Sequence, residues 1–296
     1  MEKAQILITG VTGAVGGEVA RMLFAEGVPY RALVRDRAKA SDLSRAGVEV
    51  VNGSYDDPEG LVTAFAGMER LFLVSPLVPQ LEEFEGNAID AAARAGVRHV
   101  IKLSTAGVTQ DVAGRTTVPR QYPLHRSSEE RLERSGLGFT HLRPGPFMQN
   151  TLNLAPSIVA EGIFRGAWGD GRMGYVDVRD VARVAVTVLR GGDHDGQSYE
   201  LTGPEALSPA DVARKLSAAT GREVRYVDVP VDGVRRAMLT RGMPDWFVGA
   251  MVEVMEHTRD NAAARVTQTV TELTGHPPRS YDDFAREFSF RFVPAQ

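Results

Sequence analysis

The run Thr9-Gly10-Val11-Thr12-Gly13-Ala14-Val15-Gly16-Gly17 constrains the fold more than any other stretch of this 296-residue chain. It follows the strand-like segment Ala4–Thr9. It opens a pattern in which Val15, Val19, Met22 and Leu23 recur at helical spacing. Glycines at 10, 13 and 16 permit a tight turn, a close backbone approach to a pyrophosphate and close packing of helix on strand. The helix N-terminus then offers N–H groups and a partial positive charge to the anion. A strand before the glycines and an amphipathic helix after them are the context a dinucleotide-binding turn requires. Gly10, Thr12, Gly13, Ala14, Val15 and Gly16 are therefore the expected cofactor cradle.

The rest of the first half alternates in the same way. Arg31–Arg35, Val48–Gly53, Leu71–Val74, Val100–Leu103 and Phe139–Leu142 read as strands. Between them, Asp36–Ala46, Pro58–Ala66 and Leu81–Ala95 read as helices, as does a segment through Leu132 that ends at Ser135-Gly136. The strands are nearly all apolar, as they must be when helices cover both faces of a sheet. This alternation predicts an α/β fold with a doubly wound parallel sheet. Asn150–Gly174, rich in Gly and Pro, reads as loops and short helices over the sheet. Asp180–Leu189 reads as a helix capped by Asp180, and Ser198–Thr202 as a strand. Ser208 caps a further helix with Pro209 in its first turn, and Val224–Gln296 holds one strand and several helices. The expected organisation is a dinucleotide-binding domain over residues 1–150. A smaller, mixed α/β substrate lobe over residues 151–296 is interleaved with the sheet.

Composition removes several function classes. The net charge of −4 supplies no basic face for nucleic acid. The absence of cysteine excludes disulfides and thiolate nucleophiles. The six histidines, at 99, 125, 141, 194, 257 and 276, show no paired ligand spacing, so no metal is expected. Without a Gly-x-Ser-x-Gly elbow, serine hydrolysis has no support. No apolar stretch is long enough for a signal peptide or membrane span, so the expected location is cytoplasmic, without a membrane partner. A homo-oligomer stays open.

Val34-Arg35-Asp36 stands at the end of the second strand. The Arg35 guanidinium suits a 2′-phosphate, which favours NADP(H). The adjacent Asp36 could reach an unphosphorylated ribose, so NAD(H) stays open. Ser75-Pro76 follows the fourth strand, at the carboxyl edge where ligands bind, and is expected to line the adenosine ribose.

Later motifs carry a family resemblance. His125-Arg126-Ser127-Ser128-Glu129-Glu130-Arg131-Leu132, then Leu142-Arg143-Pro144 with Phe147-Met148-Gln149-Asn150, resembles the NmrA-like branch of the atypical short-chain dehydrogenase/reductases, which are Rossmann-fold proteins. Tyr175–Ala182 and the tail Thr274-Gly275-His276-Pro277-Pro278-Arg279-Ser280 are similar to that branch too. The resemblance implies further site residues. Ser54 occupies a place where related proteins often carry an Asp facing the adenine. Ser104 and Thr105 supply the hydroxyls that typical members place after the fifth strand. Pro144, Gly145 and Phe147 would border the nicotinamide, and Met148, Asn150, Phe164 and Trp168 would shape the substrate pocket.

The acid is ambiguous. Tyr122 and Arg126 have the Tyr-x-x-x-Lys separation, with Arg for Lys. Counting back from Gly136-Leu137-Gly138 instead sets His125 where isoflavone-reductase-like members carry a catalytic Lys, with Gln121 in the Tyr slot. Pro123 weighs against a regular helix from Tyr122 onward. In the second register His125 is the candidate proton donor, with Ser104 and Tyr122 as further catalytic candidates. An ordinary imidazole pKa near ~6.5 would make kcat fall as pH rises through it. The alternative for His125 is to hold a cofactor ribose. Lys102 shares a strand face with Ser104 and reads as a surface cation.

The branch it resembles contains reductases and also NADP-sensing regulators, so membership does not decide between them; an oxidoreductase is the leading reading. The reading is an NADPH-dependent reductase of a small conjugated or aromatic substrate (quinone, enone or imine-like), of the kind met in secondary metabolism. Two alternatives stand beside it: an NADP(H)-sensing regulatory protein without turnover, and a non-redox isomerase or cyclase on the same fold. The missing Tyr and Lys favour the alternatives; the glycine turn and Arg35 oppose the last.

Overall fold

Among the described residues, nine short runs form strands: β1 (Ile6–Ile8), β2 (Tyr30–Val34), β3 (Glu49–Asn52), β4 (Arg70–Leu73), β5 (His99–Leu103), β6 (Gly138–Pro144), β7 (Ile163–Gly166), β8 (Gln197–Leu201) and β9 (Arg225–Asp228). The structure is a computed structural model and describes residues 4–109 and 118–294. Among these, twelve α-helices alternate with the strands: α1 (Ala14–Ala25), α2 (Ser41–Arg45), α3 (Pro58–Phe65), α4 (Leu81–Ala95), α5 (Gln121–Glu133), α6 (Ala155–Glu161), α7 (Val178–Arg190), α8 (Pro209–Thr220), α9 (Val231–Thr240), α10 (Asp245–Arg259), α11 (Thr269–Thr274) and α12 (Tyr281–Glu287). None is long and apolar enough to cross a membrane.

Seven strands form one sheet in the order β3-β2-β1-β4-β5-β6-β8. The five pairings from β3 to β6 are all parallel. The chain therefore runs outward from β1 to β3, then returns to β4 on the other side of β1. That reversal is the topological switch point of a Rossmann sheet, where a crevice opens at the carboxyl ends of the strands. The glycine turn follows β1 and Ser75-Pro76 follows β4, so both lie at this point.

The chain divides into two compact units. The first comprises Met1–Thr105, Pro123–Arg143 and Val178–Tyr199; the second comprises Ala106–Tyr122, Pro144–Asp177 and Glu200–Gln296. In the first, α3 and α4 pack on the sheet through Leu61, Phe65 and Ile89 against Leu7, Leu71 and Val100. α1 packs on α7. In the second, β7 pairs in parallel with β9, and Ile158, Phe164, Leu216, Tyr281 and Phe284 share one core.

Four local expectations change. Segment 36–46 is a 3₁₀ turn (Arg37–Ala40) followed by α2, because the Asp36 side chain accepts from Ala38 N–H and starts the turn early. Asp180 lies inside α7, which starts at Val178, rather than capping it. Residues 150–174 include β7, a strand whose partner β9 lies some sixty residues on and is invisible to local pattern. Helix α5 starts at Gln121, with Pro123 in its first turn, where the missing N–H costs no hydrogen bond. The Ser208 cap stands as read, completed by Asp211 into a capping box.

The glycine turn divides its labour. Gly10 has φ +65, which side chains rarely adopt, and a Cβ there would press on Val74 at 3.0 Å. A Cβ at Gly16 would overlap the backbone carbonyl of Gly10. Both glycines are thus required by the fold itself. Gly16→Ala is expected to lower the unfolding free energy by roughly 1–3 kcal/mol, the usual cost of overpacking, read as a shift in the urea midpoint. An unchanged midpoint would show that the turn can open to admit the methyl.

Candidate active site

Gly13 is different. It is the N-cap of α1 with an extended backbone (φ −94, ψ 175), and the nearest atom to an added Cβ is the Gly10 carbonyl oxygen at 3.3 Å. This contact is looser than those at Gly10 and Gly16, though still a tight one. No side chain caps α1 and its first turn holds no acid. Its N-terminal N–H groups and positive dipole end are left for an anion. Thr9 ties the turn to β4: its Oγ1 accepts from Val74 N–H at 2.7 Å. Tyr55, stacked on Phe84, donates its hydroxyl to the Val74 carbonyl at 2.7 Å.

Arg35 is exposed just past β2. Asp36, its rival for the ribose, spends Oδ1 on the Ala38 N–H at 2.9 Å. Lys39 and Thr12 line a cavity of about 340 Å3 with Val11, Arg21, Tyr30 and Leu43. The residues present fit a phosphorylated dinucleotide: an uncapped helix end at Gly13, Arg35 exposed past β2, and Asp36 engaged with the Ala38 N–H. Ser54 Oγ donates to Asp56 at 3.2 Å.

Deeper in the first unit a polar chain runs under the sheet edge. Ser75 Oγ donates to Glu85 Oε1 at 2.8 Å. The other Glu85 oxygen lies 3.0 Å from Lys102 Nζ, and both side chains have zero exposure. Lys102 Nζ lies 3.0 Å from His125 Nδ1. Lys102 is therefore not a surface cation. The alternation that puts it on one face with Ser104 is right, but that face is covered by helices. Ser104 is buried, and its backbone N–H donates to Leu142 at 2.7 Å.

His125 also departs from expectation. Burial, and then the Lys102 charge, push its pKa well below 6.5. The imidazole is thus neutral at neutral pH, and the fall in kcat through pH 6.5 expected from an imidazolium acid is not expected of this ring. An ammonium has only hydrogens to offer. With Lys102 paired to a carboxylate, Nδ1 must accept, and the ring hydrogen sits on Nε2.

Arg126 does not stand free as a lysine substitute: it is bound to Glu129, Glu130 and Glu133. Glu129 is fully buried. Burial works to raise its carboxyl, but a two-pronged bond from Arg143 (2.9 and 2.7 Å) outweighs it and holds the group below the carboxylate range. Glu129, Glu133 and His141 lie close enough to share a cation. Two guanidiniums already neutralise Glu129, which makes this a poor metal site. Burial, foremost, pushes His141 down to about 4.

The second unit holds the remaining candidates. Tyr122 packs edge-on against His257 at 5.4 Å and over Gly107. Gly145 N–H donates to Leu201, and a Cβ there would crowd the Gly174 carbonyl. Phe147 bridges to Val176. Met148 and Phe164, expected at a substrate pocket, are instead core residues, 1% and 2% exposed. Trp168 packs on Tyr226 beside that core, while Asn150 is exposed. Pro144 is buried; of the first unit's candidates, Thr105 is half-buried and Pro76 exposed. Sequence reasoning missed Glu85 and Lys39.

The model of the NmrA-like family matches residues 2–285. This chain belongs to the NmrA-like family. It is 38% identical to an NAD(P)H azoreductase of Xenophilus azovorans, over 98% of this chain and 100% of that one. It is 40% identical to a (4-alkanoyl-5-oxo-2,5-dihydrofuran-3-yl)methyl phosphate reductase of Streptomyces griseus, over 98% and 99%. A solved NADPH-dependent quinone oxidoreductase of Escherichia coli, complexed with NADPH, superposes with a TM-score of 0.87 at 30% identity, covering 96% of this chain and 99% of that one.

Two outcomes are expected. Gly13→Val keeps its melting temperature within a few degrees yet loses measurable dinucleotide affinity by calorimetry; retained affinity would make the turn purely structural. Nitrogen-15 NMR of His125 shows a neutral ring from pH 6 to 8, and a titration centred near 6.5 would contradict the burial described above.

Proposed function

We propose that this protein is an NADPH-dependent reductase of small conjugated or aromatic acceptors. When bound, the dinucleotide supplies hydride. The chain supplies the cradle at Gly10–Gly16, the cations at the end of β2, and a hydrogen-bond donor at His125 Nε2. The observation that carries this reading is the full-length similarity to reductases whose names denote an azo, a butenolide or a quinone substrate. Those acceptors share one chemistry: hydride adds to a polarised double bond and leaves an anion that needs a proton. His125 is the group of this chain suited to that anion.

A panel of menadione, methyl red and a butenolide, followed by NADPH absorbance, tests the class. Turnover of at least one is expected. Tight NADP(H) binding with no turnover would favour a sensor. His125→Ala should lower kcat by about 10²–10⁴-fold, the usual weight of a positioned proton donor. Tyr122→Phe should leave kcat within a few-fold. The reverse pattern would move the role to Tyr122.

Cofactor choice gives a separate check. A charge-assisted hydrogen bond is worth about 1.5–3 kcal/mol, so NADPH should bind roughly tenfold or more tightly than NADH, and Arg35→Ala should erase most of that difference. Equal affinities in the unaltered protein would point to Asp36 on an unphosphorylated ribose.

A further inference from the structure

A neutral imidazole is a feeble acid, since losing its one hydrogen leaves an imidazolate. His125 can deliver the Nε2 hydrogen readily only if another proton reaches Nδ1 as it leaves. Lys102 Nζ sits 3.0 Å from that nitrogen. We propose that Lys102 and His125 form a two-residue proton relay, in which the proton given to the reduced acceptor is replaced on the imidazole by one from the buried Lys102 ammonium. This rests on the reading of His125 as donor.

The step balances. The acceptor anion, formed by hydride from the nicotinamide, takes the Nε2 hydrogen as its new bond forms. The Nζ–H bond of Lys102 breaks and an Nδ1–H bond forms. His125 ends neutral in its other tautomer, Lys102 ends as a neutral amine, and Glu85 keeps its charge. One proton from water restores the starting state.

The surroundings match this task. Burying an ion pair gains little stability over apolar packing of the same shape, yet this chain holds a Lys–Glu pair at zero exposure in a Rossmann sheet. Glu85 pairs with the lysine at 3.0 Å, and Ser75 holds the second carboxylate oxygen. Other charged and titratable groups on the elements around the pair are engaged. On α5, Glu129 is claimed by Arg143, and Arg126 by its own helix's acids. On α4, Glu82 accepts from Ser127. His141, beside Lys102 on β6, is kept neutral, chiefly by burial. Lys102 is thus the charged partner of His125.

The test compares the unaltered protein, His125→Ala, and the double variant Lys102→Met/Glu85→Gln, which leaves no orphaned buried charge. Each is assayed with NADPH and menadione from pH 5.5 to 9. In the unaltered protein, kcat should not fall through pH 6.5, and nitrogen-15 NMR should show His125 with its hydrogen on Nε2 throughout. The double variant should lose about 10²-fold in kcat at pH 8. The loss should be smaller at pH 5.5 than at pH 8, because removing the Lys102 charge lifts the lesser of the two causes, after burial, that hold the imidazole neutral. NADPH affinity should change by no more than a few-fold. If His125→Ala is unimpaired, the donor reading fails, and the relay with it. If His125→Ala is impaired but the double variant keeps the normal rate and profile, the relay alone is overturned. A hydrogen on Nδ1 in the unaltered protein overturns it too, even should the double variant not fold.

Discussion

A full positive charge with zero exposure can persist inside a sheet only if a carboxylate meets it there, and much of the first unit is arranged around that demand. Lys102 leaves β5 on the face covered by α4 and α5. Glu85 comes down from α4 to meet it, Ser75 fixes the carboxylate from the end of β4, and His125 takes the remaining direction from α5. Removing either charge alone would strand the other, at a typical cost of about 3–5 kcal/mol. The pair therefore constrains the mutual register of two strands and two helices, and its lysine adds to burial in keeping the His125 imidazole neutral.

The cofactor half was readable because its signals are local. The glycine spacing, the apolar strands and the start and stop residues of α4 lie within a few positions of one another, and Leu81–Ala95 appears with its sequence-expected ends. The Lys102–Glu85–His125 chain was not readable as a unit, since its members sit on three separate elements. Two faint marks were present. Glu85 interrupts the buried stripe Leu81, Ala88, Ile89 and Ala92 of α4, and Lys102 interrupts the otherwise apolar run Val100, Ile101 and Leu103. An acid and a base each misplaced on a covered face are candidates for each other.

The second unit resisted for the opposite reason. Its pairing of β7 with β9 and its Phe164–Tyr226 contact join residues about sixty positions apart. An aromatic on a Gly- and Pro-rich segment reads equally well as pocket wall or core, and the Phe164 ring proves to be core. The backbone of Gly145 shows the same limit: its crowding against Gly174 is a tertiary fact that no local motif carries.

The burial of Lys102 also bears on chemical survival. Quinones and enones are electrophiles that alkylate thiols and unprotonated amines. This chain offers no cysteine at all. The amine nearest its candidate proton donor has zero exposure and lies against Glu85, out of reach of an electrophile in solvent. A protein so composed offers Michael acceptors neither a thiol nor that amine.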